Sequence, residues 1–255
     1  MLQINEGGNH FSETALLNGV AATDWSWSPL FADFNLDGIQ DLFISNGIPK
    51  RPNDLDYIKY ISNGEINTQL KNRTILNKDV IAKMPSGAYQ NFVFEGTTSL
   101  QFKNRSQDWL PINISVSNGS AYADLDNDGD LDIVSNNINK TAFIYENTNT
   151  KNHFLNFKLK FEEKNKYAIG SKVLVFEKNK IQYKQLFSSR GFQSSSELIL
   201  NFGFTNDAKI DSILVIWPDN TYQKIEHKIT LDTLVNIHST KNRKKVMYTN
   251  IFPKT

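Results

Sequence analysis

The sequence contains no cysteine, which excludes disulfide bonds, zinc–thiolate sites and thiol catalysis. No apolar run approaches the ~18 residues that suggest a membrane span. The first residues, MLQINEGGNHF, lack the basic segment and apolar core of a signal peptide. No Gly-rich phosphate loop or GxSxG motif occurs. The four histidines are scattered without i,i+4 partners, which favours structural or surface roles for all of them: His10, His153, His227 and His238.

Two nine-residue stretches concentrate acidic side chains: DFNLDGIQD (33–41) and DLDNDGDLD (124–132). Each places acidic or amide side chains at positions 1, 3, 5 and 9 and glycine at position 6. Without a cation these carboxylates would repel one another, whereas Ca²⁺ takes six to eight hard oxygen ligands. The predicted ligands are Asp33, Asn35, Asp37, the Ile39 carbonyl and Asp41 in the first loop, and Asp124, Asp126, Asp128, the Asp130 carbonyl and Asp132 in the second.

Three alternatives to these two calcium sites follow from the same pattern. An EF-hand needs glutamate at position 12 and flanking helices, but Ile44 and Ser135 stand there between strand-like segments. Magnesium sites and acidic turns without metal remain open. Because Asn35 carries one charge fewer than Asp126, the first loop is expected to bind calcium more weakly.

An internal repeat organises the acidic half of the chain, because residues 1–47 align without gaps with 92–138. Each copy offers four short β-like segments, which is the size of a propeller blade, and a third copy is expected to begin at 142–149. Residues 53–84 predict a helical insertion between the two blades. Its first helix would be capped by Asn53 and end at Gly64, and its second would span Asn77 to Met84.

The charge balance separates the two halves of the chain. Residues 1–150 carry 18 acidic against 10 basic side chains, whereas residues 151–255 carry 9 against 18. Alternating apolar segments after residue 151 predict a second β domain, sandwich-like, over 151–240. The basic tail 241–255, which includes KNRKK, is interpreted as solvated, and nucleic-acid binding is not indicated.

Both acidic loops resemble FG-GAP/VCBS repeats, the integrin-α-type propeller blades, and SNGSAYADLDNDGDLDIVSNN (117–137) is an especially close fit. The basic half resembles the ASPIC/UnbV domain of cartilage acidic protein-like proteins through YAIGSKV (167–173), RGFQSSSELILNFG (190–203) and VIWPDN (215–220). Asn220, Phe204 and Thr205 depart from the family pattern at turns.

The resemblance implies calcium in both loops and a family of proteins that are secreted or on the cell surface. Such repeats come in larger sets, so the chain is expected to be the C-terminal part of a longer protein, with a signal peptide and further blades upstream. The predicted fold is mainly β: a partial propeller of about two blades (1–150) with a helical insertion, followed by a small β-sandwich-like domain.

The function expected from these features is a non-enzymatic, calcium-stabilised extracellular binding or scaffold module. Its expected partner is a glycan or another surface protein. One alternative is a metal-assisted lyase or dehydratase acting on sugars. Another is a purely structural cap of a longer propeller, which an exposed apolar edge at Leu2 and Ile4 would support.

Overall fold

The computed structural model describes residues 1–149, 151–178, 180–225 and 229–247, and within them the chain is mainly β, as predicted. His227 lies outside the described residues. The strands are β1 Gln3–Gly7, β2 His10–Glu13, β3 Ser26–Ala32, β4 Asp41–Asn46, β5 Phe92–Gly96, β6 Phe102–Asn104, β7 Ser117–Ala123, β8 Asp132–Asn137, β9 Phe143–Tyr145, β10 His153–Lys160, β11 Lys172–Glu177, β12 Lys180–Gln185, β13 Leu200–Phe204, β14 Ile210–Ile216, β15 Thr221–Ile225, β16 Thr233–His238 and β17 Lys244–Lys245. The helices are α1 Leu55–Ile61, α2 Gly64–Lys71, α3 Asn77–Ala82 and α4 Ser106–Trp109, with a 3₁₀ turn at Glu163–Asn165.

The repeat appears in the structure as two equivalent hairpins. The hairpin β3–β4 and the hairpin β7–β8 have matching lengths and lie 91 positions apart, as the aligned sequence copies do. Each carries the same register shift, between Ser26 and Pro29 in the first and between Ser117 and Ser120 in the second. An acidic loop closes each hairpin, so the two loops occupy the same place in each sheet.

The predicted strand grouping of the blades is wrong by half a repeat. Among the described strands, β1 and β2 pair only with each other, and the four-stranded sheet is instead β3-β4-β5-β6. The second sheet is β7-β8-β9, and β9 pairs with β8 in the register in which β5 pairs with β4. Residues 143–145 therefore repeat the first strand of the second copy, as expected for the start of a third. Sequence alignment detects the period of a repeat but not where a sheet starts. Each hairpin lies at the end of an aligned copy and pairs with the segment that follows it, so the sheets begin in the middle of a copy.

The insertion also differs from the prediction. It lies between β4 and β5 of one sheet, not between two blades, and contains three helices. Asp54, not Asn53, caps α1 by accepting a hydrogen bond from the Tyr57 amide, and Gly64 begins α2. Leu55 at the start of α1 is 73% exposed, while Tyr57 is buried.

The two sheets of the acidic half share one apolar core. Its buried members come from both hairpins, both acidic loops and β5: Leu30, Ala32, Phe34, Phe43, Val93, Leu131 and Ile133. The phenyl ring of Phe34 packs edge-on to Tyr122, with ring centroids 6.4 Å apart. The loops are therefore built on a rigid, close-packed base.

The basic half folds as two facing sheets, β13-β10-β16 and β12-β11-β14-β15-β17. Strand β10 runs parallel to β16 and antiparallel to β13. Both sheets contribute to one buried cluster that includes Phe157, Val175, Phe202 and Trp217. The indole of Trp217, at the start of the WPDN turn, is buried and stacks on Phe161.

The beginning of the basic tail is part of the sandwich and is not free in solvent. Strand β17 pairs with β15. The guanidinium of Arg243 lies 2.7 Å from the Glu162 carboxylate and over the Phe161 ring, with its side chain only 13% exposed. Residues 248–255 lie outside the described residues.

Candidate metal centre at the two acidic loops

The two acidic loops follow the same backbone path. Position 4 of each loop is in the left-handed region, at Leu36 (φ 57°) and Asn127 (φ 64°), and the glycine at position 6 is there too. Asparagine adopts this conformation more readily than leucine. Leu36 is held in it by burial, since its side chain is only 2% exposed.

The first loop is closed by hydrogen bonds from its own backbone. The Asp33 carboxylate accepts from the amides of Asp37 (3.0 Å) and Gly38 (2.8 Å). The Asp41 carboxylate accepts from the amides of Phe34 and Gly96, each at 2.9 Å. Both carboxylates are completely buried, so the position 1 and position 9 side chains are already directed to the inside of the loop.

Burial raises the pKa of Asp33 to about 6 and that of Asp41 to about 8, because the charged form is removed from water. The ammonium of Lys184 opposes this effect on Asp33, and burial in turn lowers the pKa of Lys184 to about 8. Lys180 Nζ donates to the Asp37 carbonyl oxygen at 3.4 Å. Two lysines of the basic half therefore lie against the first loop.

The second loop is more open and more acidic. Carboxylate oxygens of Asp124, Asp126 and Asp128 all lie within 4.8 Å of one another, and Asp126 and Asp128 are exposed. The Asp124 Oδ1 atom is buried and accepts no hydrogen bond from the described residues. Burial also raises the Asp124 pKa. A buried carboxylate oxygen without a donor carries a desolvation penalty that a cation would remove.

Positions 7 and 9 of the second loop are buried as well. Asp132 accepts from the amides of Leu125 (2.9 Å) and Asn147 (2.8 Å), matching the role of Asp41 in the first loop. Asp130 is 1% exposed, its Oδ1 atom has no donor among the described residues, and burial raises its pKa to about 7. The sequence prediction used only the Asp130 carbonyl and missed this buried side chain.

Both loops are packed against the C-terminal sandwich. A Cβ added at Gly203 of β13 would lie 2.3 Å from Asp33 Oδ2 and 2.4 Å from Leu36 Cα. Asn201 Nδ2, also on β13, donates to the Gly129 carbonyl at 2.9 Å. Asn156 Nδ2 of β10 donates to Asp124 Oδ2 at 3.4 Å. Adjacent strands of the sandwich thus contact equivalent points of the two loops.

The donor set suits a hard divalent cation. Of the two predicted sets of five ligands, the structure brings together the carboxylates of Asp124, Asp126 and Asp128, whereas Asp33, Asp37 and Asp41 do not form such a group. The side chains of both sets offer carboxylate and amide oxygens, which calcium prefers. No nitrogen or sulfur ligand is present in either set, which disfavours zinc and copper. A cation in one of these loops would hold together the two strands of its hairpin. It would also strengthen the contact of the loop with β10 and β13 of the sandwich.

Comparison with known proteins identifies the C-terminal unit. Residues 161–244 match the family described as ASPIC and UnbV. The predicted ASPIC/UnbV domain is confirmed by this match, which begins after β10 and ends within β17. No curated protein matches the chain. The described helices include none that is long and apolar enough to cross a membrane.

One contact outside the loops was missed at the sequence level. His153 Nδ1 lies 2.7 Å from the Asp232 carboxylate, although the sequence offers His153 no acidic neighbour. The two residues are 79 positions apart and meet because β10 and β16 run side by side. Asp232 also accepts a hydrogen bond from the Phe154 amide at 3.2 Å, so it holds the first two residues of β10, where the sandwich begins.

Proposed function

We propose that this chain is a calcium-stabilised, non-catalytic binding or scaffold module whose acidic half consists of FG-GAP/VCBS-type propeller blades. The observation that carries this proposal is the group of three Asp carboxylates in the second loop beside the unpartnered, buried Asp124 Oδ1. The matching backbone path and packing of the first loop support a second, weaker site. Calcium in these loops would fix the blades to the ASPIC/UnbV unit.

The cellular setting of this proposal is extracellular or at the cell surface, where calcium is abundant enough to fill open loops of moderate affinity. A glycan or a surface protein is the proposed partner. The pairing of β7, β8 and β9 as a sheet of blade type supports the propeller interpretation.

Calorimetric titration of calcium into chelator-treated protein tests the proposal. We expect two binding events, the tighter one abolished by Asp128→Ala and the weaker one by Asp37→Ala. Asp211→Ala is the matched control, because Asp211 is exposed on β14 away from both loops and its loss should change neither event. Absence of heat, or equal loss with all three variants, would contradict the proposal.

A further inference from the structure

A separate cavity of about 260 Å³ lies where both blade sheets meet the C-terminal unit. None of the ten predicted metal ligands lines it. The residues that matter for its chemistry are Phe31 of β3, Tyr122 of β7, and Tyr183, Lys184, Phe187, Arg190 and Asn201 of the C-terminal unit. Ligand pockets usually enclose ~300–1,000 Å³, so this cavity suits one small ring.

Two cationic side chains line this cavity: Arg190, and Lys184, whose charge also acts on Asp33 of the first loop. Among the described residues, the Arg190 guanidinium donates to the Gln185 carbonyl alone (Nη2, 2.9 Å), and it lies over the rings of Tyr122 and Phe187. Across the described residues, no carboxylate comes within 4.0 Å of Arg190 or Lys184. Cations enclosed in protein are normally paired, and an arginine fork matches a carboxylate closely.

Asn201 adds a hydrogen-bond acceptor to the wall. Its side chain is 5% exposed, and Nδ2 donates to the Gly129 carbonyl and to Asn156 Oδ1, each at 2.9 Å. The Oδ1 atom is buried and receives no donor from the described part of the chain. A ligand with a hydroxyl group would satisfy this oxygen, because buried acceptors are rarely left unpaired.

Aromatic rings frame the same cavity. Phe31, Tyr183 and Phe187 are 38%, 46% and 47% exposed, which is unusual for large apolar side chains so close together. Rings of this kind cover the apolar face of a sugar while the polar groups hold its substituents.

We propose that this cavity binds the ring of a sugar acid, with its carboxylate on Arg190 and Lys184, a hydroxyl on Asn201 Oδ1, and its ring against the aromatic side chains. The inference rests on the binding role proposed above, but it does not require calcium in the loops. The ligand is either a free uronic acid or a uronic acid residue of an acidic glycan.

The test is titration of the whole chain with D-galacturonate and with D-galactose, which differ only at the carboxylate carbon. We expect galacturonate to bind with a Kd of about 1 mM or tighter and galactose to bind at least about tenfold more weakly. Tighter binding of oligogalacturonate identifies a glycan as the source, and equal binding identifies the free acid. If galactose bound as tightly as galacturonate, the proposal would be overturned.

Two variants locate the binding. Arg190→Gln and Lys184→Met should each weaken the binding of galacturonate by about tenfold. Arg73→Gln, which removes an exposed arginine of the insertion, should leave this binding unchanged. Equal binding by wild type and both cavity variants would overturn the assignment. If both variants fail to fold, the wild-type preference for galacturonate over galactose still decides.

Running the titrations in chelator separates this inference from the calcium proposal. Calcium binding without any galacturonate binding would overturn the cavity assignment alone. Galacturonate binding in chelator, in a protein that binds no calcium, would support the cavity while contradicting the calcium sites.

Discussion

Asp33 and Asp124 hold the same loop position, yet the structure gives them different surroundings. Asp33 has donors for both carboxylate oxygens and the positive charge of Lys184 nearby. Asp124 keeps one buried oxygen without a donor. A cation gains more from the second arrangement, because it satisfies an unpaired oxygen and meets no competing ammonium group.

Asn35→Asp tests why the first loop should be the weaker site. The variant gives this loop the charge that Asp126 provides in the second, and we expect its calcium affinity to rise by about tenfold, since ligand charge tunes such sites. Calorimetry measures the change. Asn127→Asp is the control, because it adds a charge at position 4, which supplies no predicted ligand. A similar gain from Asn127→Asp would show that general charge, not coordination, sets the affinity.

The buried carboxylates predict how stability depends on pH in chelator. The pKa values of Asp33, Asp130 and Asp41 are raised to about 6, 7 and 8, so the folded state holds protons that the unfolded state has lost. Their stabilising contribution is full below about pH 4 and is lost as pH rises through these values. We expect the melting temperature in chelator to fall between about pH 5 and pH 7.5.

Calcium should reduce that fall, because the cation replaces the proton on the same oxygens. Thermal melting followed by circular dichroism at both pH values, with and without calcium, measures the effect. A melting temperature that rises with pH in chelator would contradict this prediction, because it would show that ionisation of these carboxylates does not destabilise the protein without a cation.

The residue types of the candidate sites could be predicted from the sequence, but their surroundings could not. The acidic positions follow from a local pattern of nine residues. Lys180 and Lys184 reach the first loop from more than 140 positions away, and Asn201 reaches Gly129 from 72 positions away. Such contacts depend on how two sheets pack, which no local spacing encodes.

At the scale of elements, alternation of apolar residues predicted the strands of the sandwich well. Segments such as SKVLVFE and SILVIW became β11 and β14, since their alternate side chains enter one core. Helix α2 was not predicted, because it has no buried residue and therefore no apolar stripe to detect, whereas the predicted helix at Asn77 is α3. Gly64 suggested a stop, although glycine also tolerates the first position of a helix.

Gly203→Ala tests whether β13 of the sandwich supports the first loop. The new methyl group would meet Asp33 Oδ2 at 2.3 Å and the Leu36 backbone at 2.4 Å, so the loop or the strand must move. We expect a loss of about 1–3 kcal/mol in the free energy of unfolding, typical of an overpacked core. Chemical denaturation measures it.

Gly64→Ala is the matched control for that variant, because a Cβ at Gly64 meets nothing within 4 Å and the residue begins a helix. It should be neutral or slightly stabilising. Equal stability of Gly203→Ala and Gly64→Ala would mean that the loop and β13 do not pack as described.

At the scale of the whole molecule, the acidic and basic halves are joined through the loops. Lysines of the basic half lie against the first loop, and amides of β10 and β13 contact the second. The segment between β12 and β13 also enters the groove between β3 and β7, where the Phe192 amide donates to Ser28 Oγ at 3.1 Å. Cation binding should therefore stabilise both halves together.

Thermal unfolding of the whole chain with calcium and with chelator tests this account most directly. At calcium concentrations near 100 times Kd, each site should add about 2.7 kcal/mol to the free energy of unfolding. The account predicts one cooperative transition at a clearly higher temperature in calcium, with about half of the gain removed by Asp128→Ala. Melting that is indifferent to chelator would contradict it and leave the loops as acidic turns without a cation.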